Sequence, residues 1–127
     1  MGNPYQTQGA FSWFELITPN VEAAKKFYSE LFGWQYEAAP MAPEYTVIKV
    51  DGQGAGGMMI PPPAAKECPP HWGMYITVTD IQSTVAKARQ MGAKILFGPQ
   101  AIEKVGTFAV IQDPQGAVVS AMQYVEM

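Results

Sequence analysis

The sequence predicts an α+β fold built from two βαβββ modules in tandem. Each half of the chain contains a β-rich segment, an amphipathic helical segment and three further β-rich segments, and the two halves align at a spacing of about 60 residues. The proline-rich residues 61–70 separate the halves, and their five prolines exclude a regular helix or a central strand. With 127 residues, of which 48% are hydrophobic, the two modules are expected to form one domain over residues 10–127.

Module one covers about residues 10–60. Its first strand is predicted at Phe11–Ile17, which is aromatic and rich in β-formers. Asn20 is expected to cap the helix that follows, and Gly33 stands where a terminating glycine belongs. Three further strands are predicted at residues 34–37, 45–50 and 54–60.

Module two covers about residues 71–125 and follows the same order. A strand at residues 72–78 precedes a helix that Asp80 is expected to cap and Gly92 to stop. The remaining strands are predicted at residues 93–97, 107–112 and 117–124. Residues 1–9 carry no periodic pattern and are expected to form a flexible lead-in.

The two modules align residue by residue at several points. A shift of 60 places Trp13 on Gly73 and Asn20 on Asp80. A shift of 62 places the turn Asp51-Gly-Gln-Gly on Asp113-Pro-Gln-Gly. Two hairpins could converge on such a turn because aspartate and glycine favour turns, but the matching helix caps and stop glycines favour a true repeat.

Composition excludes several classes of function. A net charge of −3 with no basic cluster argues against a nucleic-acid partner. No apolar stretch approaches the roughly 20 residues of a membrane helix, and the first ten residues are too polar for a signal peptide, so a cytoplasmic protein is expected. One cysteine permits no disulfide within the chain, and with one histidine a metal site would depend on carboxylates or amides.

Residues 11–34 have the sequence FSWFELITPNVEAAKKFYSELFGW, and residues 106–117 have the sequence GTFAVIQDPQGA. Both segments resemble the vicinal oxygen chelate superfamily, which includes glyoxalase I, bleomycin resistance proteins and extradiol dioxygenases. The resemblance implies curved mixed sheets around a ligand cavity. It also implies a homodimer.

In metal-dependent members of this superfamily, the first and last strand of each module supply His, Gln or Glu ligands. The resemblance places these four positions at Trp13, Met58, Gly73 and Ser120. Indole, thioether and hydroxyl groups are poor ligands for Zn, Fe or Mn, and glycine offers no side chain. We therefore expect neither a metal nor another cofactor.

Glu15 and His71 are the candidate catalytic residues. Glu15 lies two residues beyond Trp13 on the same strand face, where a carboxylate is costly to bury without a partner or a role. It could act as a general base or anchor a ligand by hydrogen bonding. The alternatives are exposure at the sheet edge or a salt bridge to one of three lysines, Lys49, Lys94 or Lys104.

His71 lies two residues before Gly73, so strand alternation puts it on the same face, displaced from the ligand position. Together with Glu15 it could be the remnant of a metal site. The alternative is an exposed or packing histidine at a strand entrance.

Alternation along the strands predicts an apolar wall with few polar groups, as is typical of a small-molecule pocket. These side chains could instead fill a core. The predicted ligand-binding residues are Trp13, Glu15, Met58, Tyr75, Phe108, Ser120 and Met122.

The function these observations favour is metal-independent binding of an aromatic or amphipathic small molecule. The alternative is an enzyme of the same superfamily, a lyase, isomerase or dioxygenase-like protein that uses Glu15 and a degenerate metal site. A third hypothesis is a structural or regulatory module whose core is filled.

Overall fold

The computed structural model describes residues 3–40, 42–63 and 67–125. These residues form two compact units. The first unit is Trp13–Gly73, and the second consists of the described residues up to Ser12 together with those from Met74 onward.

The described residues contain eight strands and two helices in the predicted order, so the α+β class with two βαβββ modules is confirmed. Several strands are longer than predicted, since β6 runs to Ile102 and β3 begins at Ala42. In chain order the elements are β1 (Phe11–Ile17), α1 (Val21–Phe32), β2 (Gln35–Ala39), β3 (Ala42–Val50), β4 (Gln53–Met59), β5 (His71–Thr77), α2 (Ile81–Gln90), β6 (Lys94–Ile102), β7 (Gly106–Gln112) and β8 (Val118–Tyr124).

In the first unit the strands lie in the order β2-β3-β4-β1. Neighbours are antiparallel except for β1, which runs parallel to β4. Leu16, Ile48 and Met58 form its buried core, and α1 packs on the same side of the sheet through residues such as Ala24 and Tyr28.

The second unit repeats this arrangement as β6-β7-β8-β5, with β5 parallel to β8. Its core is larger, because Ile81 and Val85 of α2 are themselves buried there. The sheet contributes Ala109, Ile111 and Ala121.

Both helices begin at the predicted caps. The Asn20 side chain accepts a hydrogen bond from the amide of Ala23 (2.9 Å), and that of Asp80 accepts one from the amide of Ser83 (3.1 Å). Gly33 ends α1 in the left-handed conformation, with φ of 77°, which a glycine adopts without a steric cost.

The two similar turns close hairpins of different length. Asp51 and Gly52 both have positive φ and form a two-residue turn between Val50 and Gln53. A β-bulge follows in β4, where Ala55 has no partner residue on β3. In the second unit Gln112 pairs with Val118, so the connection there is five residues long.

Several of the residues 3–10, most of which were predicted to be a flexible lead-in, make specific hydrogen bonds in the second unit. Thr77 donates its hydroxyl to the carbonyl of Pro4 (2.6 Å), and its backbone exchanges hydrogen bonds with Gly9 and Ala10. The ring of Tyr5 packs edge-on against Tyr124 at a centroid distance of 5.0 Å.

Neither helix in the described part of the chain has the length and hydropathy needed to cross a bilayer. Residues 64–66 of the proline-rich connector lie outside the described residues.

Candidate ligand-binding site

The sheet of the first unit has two faces, and the candidate site lies on the one opposite α1, which we call the distal face. Leu16 packs towards α1, so its neighbour Glu15 points to the distal face, and so does Trp13 two residues earlier. Both side chains are partly exposed. The expectation that Trp13 and Glu15 share one face is therefore confirmed.

Tyr45 of β3 joins these two residues through a chain of hydrogen bonds. Its hydroxyl donates to Oε2 of Glu15 (2.7 Å) and accepts from Nε1 of Trp13 (2.9 Å). An indole nitrogen can only donate and an ionised carboxylate can only accept, so the direction of both hydrogen bonds is determined. The three side chains form one oriented polar group on a face that also carries the Lys49–Glu37 ion pair.

Gly57 explains how Tyr45 reaches Glu15. In the sheet Gly57 lies beside Glu15 on β1 and opposite Val47 on β3. A Cβ atom at this position would overlap the hydroxyl end of the Tyr45 ring. Because Gly57 has no side chain, the ring of Tyr45 can lie flat across β4.

The prediction that Met58 belongs to this face is wrong. Met58 is fully buried, pairs in register with Leu16 and packs in the core on the α1 side. The equivalent of Ser120 is Gly57, because Gly57 pairs with Glu15 as Ser120 pairs with Tyr75. The unequal hairpins cause the error, since the alignment through the two turns does not extend into the following strands.

The predicted residues of the second unit lie together on its own distal face. Tyr75 and Ser120 are register partners, and Phe108 is the register partner of Met122. The rings of Tyr75 and Phe108 are 6.1 Å apart, and Phe97 stacks on Phe108 at 5.7 Å. Tyr75 and Met122 are only 9% and 5% exposed, whereas Ser120 and Phe108 are half-buried.

One tyrosine near this face has a shifted pKa. Burial raises the pKa of the Tyr124 hydroxyl, and a hydrogen bond with Ser12 (2.8 Å) lowers it in part. The hydroxyl is neutral at physiological pH and forms part of the hydrogen bonding inside the second unit.

His71 is exposed at the start of β5, and Nδ1 of its ring lies 2.9 Å from the carbonyl oxygen of Pro69. Lys49, one of the lysines considered as a partner for Glu15, forms its ion pair with Glu37 (3.1 Å).

The residues at the four family ligand positions do not fit a metal ion. With Gly57 in place of Met58, the set is Trp13, Gly57, Gly73 and Ser120, which offers a single weak oxygen ligand. Over residues 3–40, 42–63 and 67–125, no three His, Cys, Asp or Glu side chains come together as a metal site.

Sequence reasoning missed two features. Tyr45 lies within a predicted strand, but only the pairing of β3 with β4 shows that it crosses Gly57. The second feature is an aromatic groove on the α1 side of the sheet, lined by Tyr28, Trp34 and Trp72 among others. Its residues lie on separate elements, and no local pattern connects them.

The fold, together with the substitutions at the four metal-ligand positions, is that of a divergent member of a large superfamily of proteins that bind small molecules. The profile of the Glyoxalase/Bleomycin resistance protein/Dioxygenase superfamily matches residues 10–120, and the chain belongs to this superfamily.

Two curated relatives are similar in sequence. CFP32 of Mycobacterium bovis, named as a candidate glyoxylase, is 36% identical over 117 residues, which are 91% of this chain and 44% of CFP32. The anthracycline biosynthesis protein DauV of Streptomyces sp. strain C5 is 28% identical over 123 residues, covering 86% of this chain and 45% of DauV. The chain thus spans about half the length of these relatives.

Solved structures are similar in fold. Methylmalonyl-CoA epimerase from Mycobacterium tuberculosis has a TM-score of 0.64 at 13% identity, over 99% of this chain and 94% of the epimerase. A variant of homoprotocatechuate 2,3-dioxygenase from B. fuscum has a TM-score of 0.63 at 11% identity, over 97% of this chain and 35% of the dioxygenase. At these identities the likeness concerns the fold alone.

Proposed function

We propose that the chain binds a small aromatic or amphipathic molecule on the distal face of the first unit, without a metal ion. The observation that carries this proposal is the hydrogen-bonded chain from Trp13 through Tyr45 to Glu15. It places one oriented acceptor group next to a large apolar ring.

The chemistry of these groups defines the ligand class. The carboxylate of Glu15 offers only acceptor oxygens, so it selects a ligand with an O–H or N–H donor. The indole of Trp13, near Val47, offers an apolar surface, and a few polar groups on such a surface are typical of ligand sites. A flat ring that carries one donor satisfies both.

The family supports this class of ligand in general terms. The superfamily includes bleomycin resistance proteins, and one relative is named for the biosynthesis of anthracyclines, which are planar aromatic compounds. The poor metal ligands at the four family positions support binding without a metal.

A pair of probes tests the proposal. We expect 2-naphthol, which has a hydroxyl donor, to bind at least ten-fold more tightly than 2-methoxynaphthalene, which lacks it; ten-fold corresponds to about 1.4 kcal/mol. Isothermal titration calorimetry measures both affinities. In ¹H–¹⁵N spectra the indole signal of Trp13 should move on titration with 2-naphthol.

The variant Glu15→Gln keeps the size of the side chain and removes the charge, so it should abolish the preference for 2-naphthol. His71→Gln is the matched control and should keep the preference. Equal affinity of the two probes for the wild type would contradict the proposal. Stoichiometric Zn, Fe, Ni or Mn in the purified protein, lost in Glu15→Gln, would contradict metal independence.

The second candidate function is an enzyme of the lyase or isomerase type in which Glu15 moves a proton. The hydrogen bond from Tyr45 supports it, because this bond holds the carboxylate in one orientation towards a bound molecule. In that case Glu15→Gln should abolish turnover and leave binding intact. Equal turnover by the wild type and the variant would exclude this role.

A further inference from the structure

An apolar groove lies on the α1 side of the first unit, on the opposite side of the sheet from the site proposed above. Its volume is about 460 Å³, within the range of roughly 300–1,000 Å³ of small-molecule sites. Residues from α1, β1, β3, β4 and β5 line it, and none of the lining residues is charged.

Four aromatic rings form one wall of the groove. Tyr28 stacks on Trp34 at 5.2 Å, and Trp72 meets both of these rings edge-on at 5.6 and 5.8 Å. Phe32 stacks on Tyr28 at 5.9 Å, and its ring lies 5.4 Å from that of Trp34. The indole of Trp72 donates a hydrogen bond to the Tyr28 hydroxyl (3.3 Å), so these polar atoms satisfy each other.

The floor of the groove is formed by residues with little or no side chain. Gly56 lies in register with Phe14 and Ile48, and the bulge residue Ala55 is next to it. Phe14 is 45% exposed and Trp72 is 43% exposed. Large rings and an almost bare floor leave an open slot between them.

The second unit provides an internal comparison, because it has residues at the corresponding positions. The counterpart of Gly56 is Val119, and the counterparts of Tyr28 and Trp34 are Ala88 and Ala93. Val119, Ala88 and Ala93 all pack against the buried core of that unit. Tyr28 and Trp34 pack against the core of the first unit in the same way, so the two units differ chiefly in the floor, which is Gly56 in the first and Val119 in the second.

We propose that this groove is a second binding site, specific for an uncharged planar aromatic molecule. Edge and face contacts with the aromatic wall match a flat ring system. The lack of charged lining residues disfavours an ionic ligand, because its charge would lose hydration without gaining a partner. A protein partner would have to cover about 800 Å² and therefore surface well beyond the groove, whereas a small molecule is contained within it.

The test uses Nile red, an uncharged planar aromatic dye that has no O–H or N–H donor for Glu15 and whose fluorescence rises in apolar surroundings. The chain has three tryptophans, and the structure places Trp34 and Trp72 at the groove and Trp13 on the distal face. Titration should increase the dye fluorescence and move the indole signals of Trp34 and Trp72 in ¹H–¹⁵N spectra, while that of Trp13 stays in place.

Two variants complete the test. Ala55→Leu adds a side chain above the floor and should weaken dye binding at least ten-fold, whereas the matched control Ala101→Leu, at an exposed strand position of the second unit, should not change it. Trp72→Ala removes part of the wall and should also weaken binding. Glu15→Gln should leave dye binding unchanged.

Three results would overturn the inference. The dye could leave the signals of Trp34 and Trp72 unmoved up to its solubility limit, or move only that of Trp13. Alternatively, Ala55→Leu could abolish self-association of the protein without affecting dye binding, which would make the groove an interface between copies. The test with 2-naphthol depends instead on the Trp13 signal and on Glu15→Gln, so the two proposals can fail separately.

Discussion

The Tyr45 hydroxyl uses its donor and its acceptor function at the same time. Its oxygen accepts the hydrogen bond from Trp13 and its proton is donated to Glu15, so the hydroxyl proton points in one direction only. An arrangement of this kind orients both neighbours, and it makes Tyr45 the positioning residue of the proposed distal site.

Tyr45→Phe removes both hydrogen bonds and keeps the ring. We expect the free energy of unfolding to fall by about 1 kcal/mol, the usual net value of partly buried hydrogen bonds. The indole signal of Trp13 should move while those of Trp34 and Trp72 stay in place. Urea unfolding and ¹H–¹⁵N spectra measure the two effects, and an unmoved Trp13 signal would show that the hydroxyl does not hold the indole.

Gly57→Ala should have a similar effect by a steric route. The new methyl group would overlap the end of the Tyr45 side chain, which can rotate away. We therefore expect the protein to remain folded but to lose the hydrogen bond between Tyr45 and Glu15. The matched control is Gly73→Ala, whose Cβ would have no atom within 4 Å and whose φ is not positive. A Trp13 indole signal that moves equally in both variants would contradict the steric explanation.

Side-chain direction could be predicted within a strand but not between strands. Alternation correctly placed Trp13 with Glu15, because both lie on β1 with no irregularity between them. The same reasoning failed for Met58, because it was transferred from one hairpin to another across a bulge and a difference in turn length. Tyr45 could not be assigned at all, since its role depends on the strand beside it.

At the scale of elements, the two helices begin in the same way but pack differently. Their caps were predictable, because a capping side chain acts within three residues of its own position. The burial of the helices could not be predicted in this way, since α2 has two buried residues and α1 has none. The aromatic groove lies beside the less buried helix.

The cap of α2 should make stability depend on pH. The hydrogen bond from the Ser83 backbone amide holds the pKa of the Asp80 carboxyl below its ordinary value. A lowered pKa means that the folded state favours the carboxylate, so the cap stabilises the fold above the pKa of the unfolded chain. This contribution is lost as the pH falls through the folded-state pKa.

We therefore expect the wild type to lose more stability than Asp80→Asn between pH 7 and about pH 3, since an amide caps the helix without titrating. Urea unfolding of both proteins at a series of pH values measures the difference. Parallel loss of stability in the two proteins would refute the prediction.

At the scale of the molecule, the repeat was visible in the sequence, but the division into units was not. When the sequence is aligned with itself, the first copy of the repeat begins at about residue 10 and the second at about residue 71. Packing instead divides the chain within β1 and within β5, and places the described residues up to Ser12 with the second unit. This division depends on contacts between segments that are far apart in the sequence, and a local sequence pattern does not reveal such contacts.

The expected homodimer is a prediction at this scale. Large apolar side chains such as Phe27 and Leu31 are each 56% exposed, and the chain spans about half the length of its curated relatives. Sedimentation equilibrium at micromolar concentrations should give a mass of twice 13.9 kDa. A single species of 13.9 kDa up to 100 μM would contradict the prediction.

The unequal filling of the two copies makes the molecule a template for its own redesign. At matching points of the two sheets the second unit has Val119 where the first has Gly56, and the groove of the first unit lies over this glycine. Exchanging Ala88, Ala93 and Val119 for the residues of the first unit would transplant the groove on a backbone of the same topology. The reverse exchange is blocked at Gly56, where any side chain would overlap the backbone carbonyl of Phe14, so the bare floor is dictated by the backbone of the first unit.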